Sequence, residues 1–471
     1  MRRTSPAGSP LRQPNPLGQP SVWPLVSTLL ALVCAVVTPG AAQTAPDLER
    51  AIAADYAANL EPLFRHFHAN PELSHREVQT AARLATELRA LGFQVTEGVG
   101  GTGVVAVMRN GDGPTVLLRA DMDGLPVKEA TGLPYASTAT QEDLDGIVKP
   151  VMHACGHDVH MAALVGAARQ LGARKDQWAG TLVLIGQPAE ERLTGARAML
   201  DAGLYVRFPK PDYALAFHVA AQLPAGKIEV PPAIVASSAD SVDITVHGVG
   251  GHGAYPHRSI DPVLVAAQIV VSLQSLVSRT LNPLDPGVIT VGAIHGGTKH
   301  NIIGDRVDMQ LTVRADSREV RQQLLDGIAR VARGVALSLG VPEDRLPDVV
   351  PSPTESTPPV INDAATAAVI ERAFGAHFGD ERLVDTRRDG MGAEDFAYFM
   401  TSESGVLGVY FSVGGTPEEE LATASGHHSP TFRIVPEPSI TTGVEAMTVG
   451  AIALFRQGRV TAPSEPQPRS R

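Results

Sequence analysis

The apolar stretch Thr181-Leu-Val-Leu-Ile-Gly186 decides the fold class, because it leads directly into the acidic turn Gln187-Pro-Ala-Glu190-Glu191. A continuous apolar run of this length predicts a strand buried on both faces, as in a parallel sheet. Two more strands of this kind are predicted at residues 115–120 and 213–218, with helical patterns between them. Alternating strands and helices predict an α/β catalytic domain with a mainly parallel sheet and helices on both faces.

From about residue 236 the pattern becomes typical of an α+β unit. Residues 241–247 alternate apolar and polar side chains, which predicts a strand with one buried face. The next predicted elements are a helix, two strands and a helix, at residues 261–280, 287–295, 306–315 and 317–339. This β-α-β-β-α order matches five elements of a ferredoxin-like unit. We therefore predict that a ferredoxin-like α+β insert interrupts the α/β domain, which resumes after Pro351-Ser-Pro-Thr-Glu355.

The chain begins with the features of a signal peptide. A basic start, Met1-Arg2-Arg3, precedes an apolar run at residues 25–37 and the small residues Gly40-Ala41-Ala42. The run is shorter than the ~20 residues that a membrane span needs, so an uncleaved anchor is only the alternative. We expect an exported protein, periplasmic or secreted, with no stable membrane span after cleavage.

These patterns divide the chain into five segments. The segments are a signal peptide at 1–42, the first part of the catalytic domain at 43–235, an insert for lid or dimer formation at 236–352, the second part of the catalytic domain at 353–458, and a disordered tail at 459–471. The 471 residues carry a formal net charge of -11 at pH 7. Such an acidic chain is not expected to bind nucleic acid.

Cys155 lies in the stretch His153-Ala-Cys155-Gly-His157-Asp158 and has no disulfide partner in the mature chain. The only other cysteine of the two, Cys34, falls in the predicted signal peptide. A thiol two residues from an imidazole has the spacing of two metal ligands. The alternatives are a small buried side chain and a cysteine nucleophile paired with a histidine. The nucleophile hypothesis leaves the pair Glu190-Glu191 without a role.

Acid and imidazole groups follow the predicted strands of the α/β domain. Asp121 and Asp123 come after the first strand, the glutamate pair after the second, and His218 ends the third. Sites in open α/β sheets form at these carboxyl ends. Metal-dependent hydrolysis needs one carboxylate as a ligand and another as a base, which the glutamate pair provides. A solvated glutamate turn, a core histidine at 218 and a capping role for Asp123 remain the alternatives.

Eight segments spread over about residues 47–457 carry a family resemblance. They are His68-Ala-Asn-Pro-Glu-Leu-Ser74, Leu118-Arg-Ala-Asp-Met-Asp-Gly-Leu-Pro126, Met152-His-Ala-Cys-Gly-His-Asp158, Gln187-Pro-Ala-Glu-Glu191, Gly250-Gly-His-Gly-Ala-Tyr-Pro-His257, Asn301-Ile-Ile-Gly-Asp305, Gly392-Ala-Glu-Asp-Phe396 and His428-Ser-Pro430. In this order they resemble the dinuclear-metal aminoacylase/carboxypeptidase superfamily of metallopeptidases. The closer resemblance is to its amidohydrolase branch, which contains hippurate hydrolases, N-acyl-amino-acid amidohydrolases and auxin-conjugate hydrolases.

The resemblance implies a role for each matching residue. The implied ligands of two divalent metal ions per subunit, Zn²⁺ or Mn²⁺, are Cys155, His157, Glu191, His218 and His428. Glu190 would be the general base, and Asp121 would orient a ligand imidazole. His252 would reach the active site of a partner subunit, in a homodimer formed through the insert, and would help to stabilise the oxyanion. Asn301 and Arg314 would hold the substrate carboxylate.

The implied function is a metal-dependent amidohydrolase that cleaves N-acyl amino acids, with N-acetyl, benzoyl or aryl-acyl groups, or small peptides. The alternatives are an exported carboxypeptidase or dipeptidase and a non-catalytic metal-binding homologue. Where many members of the superfamily carry His-x-Asp, this chain has Arg119-Ala-Asp121. The metal preference of the zinc carboxypeptidases is therefore not transferred, because thiolate and imidazole favour zinc while the carboxylates leave manganese open.

Overall fold

A computed structural model of the chain describes residues 45–460 except 387 and 389. The predicted signal peptide at 1–42 lies outside the described residues and stays a prediction. Of the predicted tail, residues 461–471 also lie outside. Arg459 and Val460 do not behave as a free tail, because Arg459 Nε donates to Gly113 O at 3.0 Å and Val460 N donates to Asp212 Oδ1 at 3.0 Å.

The described residues contain strands that form one large sheet, one smaller sheet and short two-stranded pairs. In chain order the strands are β1 (Gln94–Val99), β2 (Gly103–Asn110), β3 (Thr115–Asp121), β4 (Thr140–Glu142), β5 (Val148–Pro150), β6 (Gly180–Gln187), β7 (Tyr213–Pro224), β8 (Ile228–Glu229), β9 (Ile234–Ala236), β10 (Ser238–His247), β11 (Gly251–His252), β12 (Gly287–Gly296), β13 (Ile302–Ile303), β14 (Arg306–Ala315), β15 (Asp348–Thr357), β16 (Val360–Ile361) and β17 (Leu407–Thr416).

The helices alternate with these strands in the main part of the chain. They are α1 (Ala45–Asp55), α2 (Glu61–Ala69), α3 (Val78–Ala90), α4 (His157–Ala173), α5 (Gly195–Asp201), α6 (Leu204–Arg207), α7 (Pro262–Ser275), α8 (Arg318–Ser338), α9 (Ala364–Phe378) and α10 (Pro436–Phe455). A π-helical turn, Tyr56–Leu60, joins α1 to α2, and another, Leu276–Thr280, follows α7.

The main sheet has seven strands in the order β1-β2-β6-β3-β7-β17-β8. The four central strands β6, β3, β7 and β17 are parallel to one another. The outer strands β1, β2 and β8 pair antiparallel. The fold-class prediction of a mainly parallel α/β sheet is confirmed.

Side chains of the central strands point alternately into two hydrophobic layers. On β6, Leu182 and Leu184 pack with α1 to α4, α9 and α10, whereas Val183 and Ile185 pack against α5 and α6. All four are at most 1 % exposed. Burying each such side chain contributes roughly 1.5–3 kcal/mol, so the unbroken apolar run is explained by helices covering both faces of the sheet.

The second sheet is four-stranded, in the order β12-β14-β10-β15, and every pairing in it is antiparallel. Helices α7 and α8 cover one face and enclose a separate hydrophobic core. The chain order β10-α7-β12-β14-α8-β15 is the full β-α-β-β-α-β pattern of a ferredoxin-like unit. The predicted insert is therefore confirmed as a fold, and its boundaries stay predictions.

Strand β15 corrects one detail of the sequence analysis. Residues 351–355 were expected to return the chain to the α/β domain, but they lie inside β15, next to an irregularity in its pairing with β10. Pro351 and Pro353 hide the strand pattern. Proline cannot donate a ladder hydrogen bond and is confined to edge strands and bulges, which is the position of β15.

Candidate metal centre

The turn after β6 directs the carboxyl groups of two glutamates towards the His157 ring. Ala189 has φ 48°, in the left-handed region that costs an L-residue about 1–2 kcal/mol. The next two backbone amides, of Glu190 and Glu191, donate to Asp123 Oδ1 and Oδ2 at 3.1 Å each. Both carboxyl groups then end 3.8 Å from Nε2 of His157.

A glycine sets the geometry between Cys155 and His157. Gly156 has φ 89°, and a Cβ there would lie 2.3 Å from a Val219 methyl group, so only glycine fits. Helix α4 begins at the next residue, His157. The tight turn therefore brings the buried Cys155 thiol within 3.4 Å of His218 Nε2.

The hydrogen bonds of His157 and His218 leave one nitrogen of each ring free to bind a metal. His157 Nδ1 donates to the carbonyl of Asp123 at 2.8 Å. His218 Nδ1 donates to the carbonyl of Val219 at 2.7 Å. Because a carbonyl only accepts, Nδ1 carries a proton in both rings, and Nε2 is the nitrogen that each ring directs towards the site.

His160 and His427 lie beside the same site, but Nε2 of each ring already accepts a hydrogen bond from the backbone. The backbone amide of Val219 donates to His160 Nε2 at 2.9 Å, and that of Ala221 donates to His427 Nε2 at 3.2 Å. An amide N–H only donates, so both rings carry their proton on Nδ1. His160 Nδ1 donates a hydrogen bond to Asp121 Oδ1 at 2.6 Å, and His427 Nδ1 faces the Cys155 sulfur at 3.7 Å.

Of the adjacent residues His427 and His428, His428 is the one whose ring lies beside a carboxylate. Its Nε2 lies 3.3 Å from Glu191 Oε2, and its backbone amide donates to Ala154 O at 2.8 Å. The five predicted ligands are thus brought together, with Cys155, Glu191 and His428 forming one cluster whose ligand atoms lie within 4.8 Å of one another. The family resemblance implied His428 as a ligand and gave no role to His427.

Two buried atoms of this cluster have no hydrogen-bond partner within the part of the chain that the structure describes. They are His157 Nε2 and Glu191 Oε1. Burial raises the pKa of Glu191 to about 8, with a further increase from Asp123. Burial and the nearby Glu394 and Glu191 carboxylates raise the pKa of Glu190 well above its ordinary value. Sulfur, nitrogen and oxygen atoms that converge on one place, some of them without a hydrogen-bond partner, fit a bound divalent cation.

Arg119 is a central residue of the site that the sequence analysis did not assign. It is fully buried on β3 and donates to Asp121 Oδ2 at 2.6 Å, to Glu394 Oε1 at 2.8 Å and to Gln187 Oε1 at 2.8 Å. Tyr410 also donates to Glu394, at 2.5 Å. The guanidinium therefore balances the buried Asp121 and Glu394 carboxylates.

Asp121 was predicted to orient a ligand imidazole, and the ring it bonds is that of His160. Although burial raises its pKa, the Arg119 guanidinium and His157 hold the pKa of Asp121 well below its ordinary value. Asp121 accepts a hydrogen bond from His160 Nδ1, and His160 Nε2 in turn accepts from the Val219 amide beside His218. Asp121 thus supports His218 through one intermediate ring.

His218 does not end its strand, contrary to the sequence prediction. Strand β7 continues to Pro224, because β17 pairs with it beyond His218. The neighbouring β3 stops pairing with β7 at Ala216, however. His218, two residues beyond that last pair, is level with Asp121, the last residue of β3. It therefore still lies at the carboxyl end of that strand, where sites form in open α/β sheets.

The three predicted residues of the insert lie in two places. His252 and Asn301 are exposed beside each other on the β11–β13 pair, and Gly253 N donates to Asn301 O at 2.9 Å. Arg314 lines a cavity of about 520 Å³ that Glu191 also lines. Only Arg314 of these three is brought to the metal centre within one chain.

Backbone strain is concentrated around this centre. The described non-glycine residues with left-handed φ are His75, Ala189, Leu193 and His428. His75 and Leu193 line the cavity, and His428 meets Glu191. Strained residues of this kind persist where the surrounding structure over-determines them, and they cluster at functional sites.

The family is decided by a comparison of profiles. The profile of peptidase family M20/M25/M40 matches residues 117–449, more than half of the chain. This chain belongs to that family. With the hydrolases named among its relatives, this match shows that the chain is an M20 metallohydrolase that acts on linear amide C–N bonds.

Relatives with described activities support this assignment. Thermostable carboxypeptidase 2 of Saccharolobus solfataricus is 36% identical over 377 residues, covering 78% of this chain and 88% of the relative. Hippurate hydrolase of Campylobacter jejuni is 36% identical over 349 residues, covering 73% and 86%. The solved structure of a Bacillus subtilis dinuclear metal-binding peptidase of the M20 family superposes with a TM-score of 0.69 at 28% identity, covering 85% of this chain and 99% of that chain.

We predict that Cys155→Ser lowers divalent-metal affinity by more than about 100-fold, because a hydroxyl does not replace a thiolate ligand. Metal bound per chain is measured by plasma mass spectrometry after dialysis against a metal buffer. His427→Asn is the matched control, since His427 contacts the same sulfur but its lone pair is used by Ala221 N. Full metal occupancy of the serine variant, or equal loss in both variants, would contradict the assignment of ligands.

Proposed function

We propose that this M20 enzyme cleaves the amide bond of N-acyl amino acids, with N-acetyl, benzoyl or aryl-acyl groups, or of small peptides. We also propose that it uses two divalent metal ions, Zn²⁺ or Mn²⁺. The observation that carries the proposal is the position of Glu190, a buried carboxyl that follows β6 and faces the ligand His157 at 3.8 Å. The activities printed for the relatives, a hippurate hydrolase and a carboxypeptidase, support this range of substrates.

The residues that would hold the metal ions are Cys155, His157, Glu191, His218 and His428. When bound, such ions supply Lewis acidity, which lowers the pKa of water to about 7 and polarises an amide carbonyl. The chain's own part is to hold the ligands. Asp123 fixes both the Glu191 backbone and the His157 ring.

Glu190 is the proposed proton carrier. Its raised pKa makes it a stronger base than an exposed glutamate, and base strength near the working pH favours proton transfer. It accepts a proton from the attacking water and returns it to the leaving nitrogen. The C–N bond then breaks, and the water oxygen remains on the acyl carbon, which leaves as a carboxylic acid, while the amine leaves with the proton.

Arg314 is the proposed carboxylate anchor. Its Nε donates to Thr312 Oγ1 at 3.2 Å, and the guanidinium has no ion-pair partner within the described residues. A half-buried cation without a partner, in the cavity that Glu191 lines, suits the free carboxylate of an amino acid or of a peptide C-terminus. Asn301 is proposed to assist from the β11–β13 pair.

A homodimer through the insert is proposed because His252 and Asn301 are not brought to the metal centre of their own chain. In a dimer they would act at the metal centre of the partner subunit. One face of the insert is suited to this contact. Val263, Leu264 and Val271 on α7 are 47%, 58% and 67% exposed. Only 28% of the most apolar stretch of the helix Pro262–Thr280 is buried, against 78% for Pro436–Phe455 in the main core. Strand β12, beside α7, is an edge strand of its sheet among the described residues, and such an edge can pair with a second copy of the chain.

We predict that the purified protein releases an amino acid from at least one member of a panel. The panel contains hippurate, three N-acetyl amino acids, an aryl-acetyl amino acid and a dipeptide. Activity is expected to vanish after chelation and to return with Zn²⁺ or Mn²⁺, because the ligand cluster needs its cations. Turnover that survives chelation but is abolished by thiol alkylation would favour a cysteine nucleophile, and absence of any cleavage would contradict the proposed substrate class.

We predict that Glu190→Gln keeps its metal content and lowers kcat by roughly 100- to 10,000-fold, the range supplied by general acid–base catalysis. The amide has the shape of the carboxyl group but does not take up the proton. Glu355→Gln is the control, because Glu355 lines the same cavity but has no proposed role in proton transfer. A Glu190 variant with kcat within threefold of wild type would remove the general-base assignment.

We predict that Leu264→Lys with Val271→Lys converts a dimer into a monomer and lowers kcat, because His252 then no longer reaches a second active site. Sedimentation velocity measures the assembly state at several concentrations. Val206→Lys is the control, since Val206 is 89% exposed on α6, outside the insert. A wild-type protein that is monomeric and fully active would refute the dimer proposal.

A further inference from the structure

Two buried carboxylates hold the backbone of the catalytic turn. The amide of Ala189 donates to Glu77 Oε1 at 2.8 Å, and the amides of Glu190 and Glu191 donate to Asp123 at 3.1 Å. Glu77 and Asp123 are at most 1 % exposed. Three successive N–H groups directed at side-chain carboxylates form an anion-binding nest that the protein fills by itself.

Glu77 also holds the wall of the substrate cavity. The same Oε1 atom accepts the backbone amide of His75 at 2.9 Å. His75 has φ 65°, and its ring bonds the hydroxyl of Thr194 at 2.9 Å. Both His75 and Thr194 line the cavity. One carboxylate oxygen therefore joins a strained residue of the cavity wall to the strained residue that precedes the general base.

The position of Glu77 in its own helix gives an independent sign that its side chain is used elsewhere. Glu77 is the N-cap residue of α3, but its side chain makes no capping hydrogen bond. Serine, threonine, aspartate and asparagine are the usual residues there because they cap the helix. The Glu77 side chain points instead to Ala189 and His75, and its Oε2 accepts from Thr102 Oγ1 at 2.5 Å.

We propose that Glu77 is a positioning residue for the reaction, which holds Ala189 left-handed and so aims Glu190 at the metal centre. The proposal rests on the proposed role of Glu190 as general base. Glu77 is not among the metal ligands, so its loss reduces turnover without removing metal. A role in overall stability alone would instead lower the melting temperature and leave kcat unchanged.

Glu77→Leu is the main test variant, because leucine fills the space and leaves two buried amides without an acceptor. The expected result is a fall of about 100-fold in kcat, as for a small misplacement of a catalytic group, with KM within threefold and metal content unchanged. Glu77→Gln is the matched control. It keeps the Oε1 acceptor, and it is neutral like the protonated form, which is populated near neutrality because burial and Asp123 raise the pKa of Glu77 to about 7. Its kcat is expected within threefold of wild type.

A rescue experiment separates positioning from general stability. Glycine adopts left-handed backbone without a carboxylate to hold it, so Ala189→Gly in the Glu77→Leu background is expected to recover at least about tenfold in kcat. If Glu77→Leu does not fold, Glu77→Asp takes its place. It keeps the charge but withdraws the oxygen by one methylene group, and the same loss of kcat is expected.

Hydrogen exchange at residues 187–195 gives a readout that needs no substrate, so this proposal can fail separately from the proposed function. Faster exchange is expected there in Glu77→Leu or Glu77→Asp, with unchanged exchange in the insert. Wild-type kcat, unchanged exchange at the turn, or loss of kcat that follows loss of metal would each overturn the proposal. Failure of the wild-type enzyme to cleave any amide would instead count against the role of Glu190.

Discussion

The structure depends on the burial of several carboxylates around one imidazole nitrogen. Asp121, Glu190 and Glu191 all approach Nε2 of His157 within 3.6–3.8 Å, and that atom has no hydrogen-bond partner among the described residues. Buried charges that are not compensated are strongly unfavourable. A bound divalent cation resolves this arrangement, which makes metal binding and the local fold mutually dependent.

The other residues of the site hold these carboxylates and the His157 ring in position. Asp123 ties the glutamate turn to the His157 ring, and Gly156 permits the close approach of α4 to β7. Arg119 neutralises Asp121 and Glu394. Hydrogen bonding distinguishes the proposed ligand histidines from the histidine that supports them. His157 and His218 bond backbone carbonyls through Nδ1, which leaves Nε2 facing the site, whereas a backbone amide occupies Nε2 of His160.

Much of this was predictable from local sequence, and the misses share a physical cause. Apolar runs and period-two alternation predicted both sheets, and ligand spacing pointed to Cys155 and His157. The full set of five residues that the structure brings together was implied by the family resemblance. Arg119 was missed because it lies inside an apolar strand and its partner Glu394 is 275 residues away. Strand β15 was missed because its prolines resemble a linker. His160 and His427 were not assigned because a ring's tautomer depends on backbone amides brought near it only by folding.

Anomalous diffraction from crystals grown with Zn²⁺ or Mn²⁺ tests the central claim most directly. The account predicts two metal peaks per subunit, both in contact with ligands from the set Cys155, His157, Glu191, His218 and His428. The buried cluster Glu190, Glu394 and Asp395 offers a rival position for a cation. A peak only at that cluster, or no peak in contact with Cys155 and Glu191, would contradict the account.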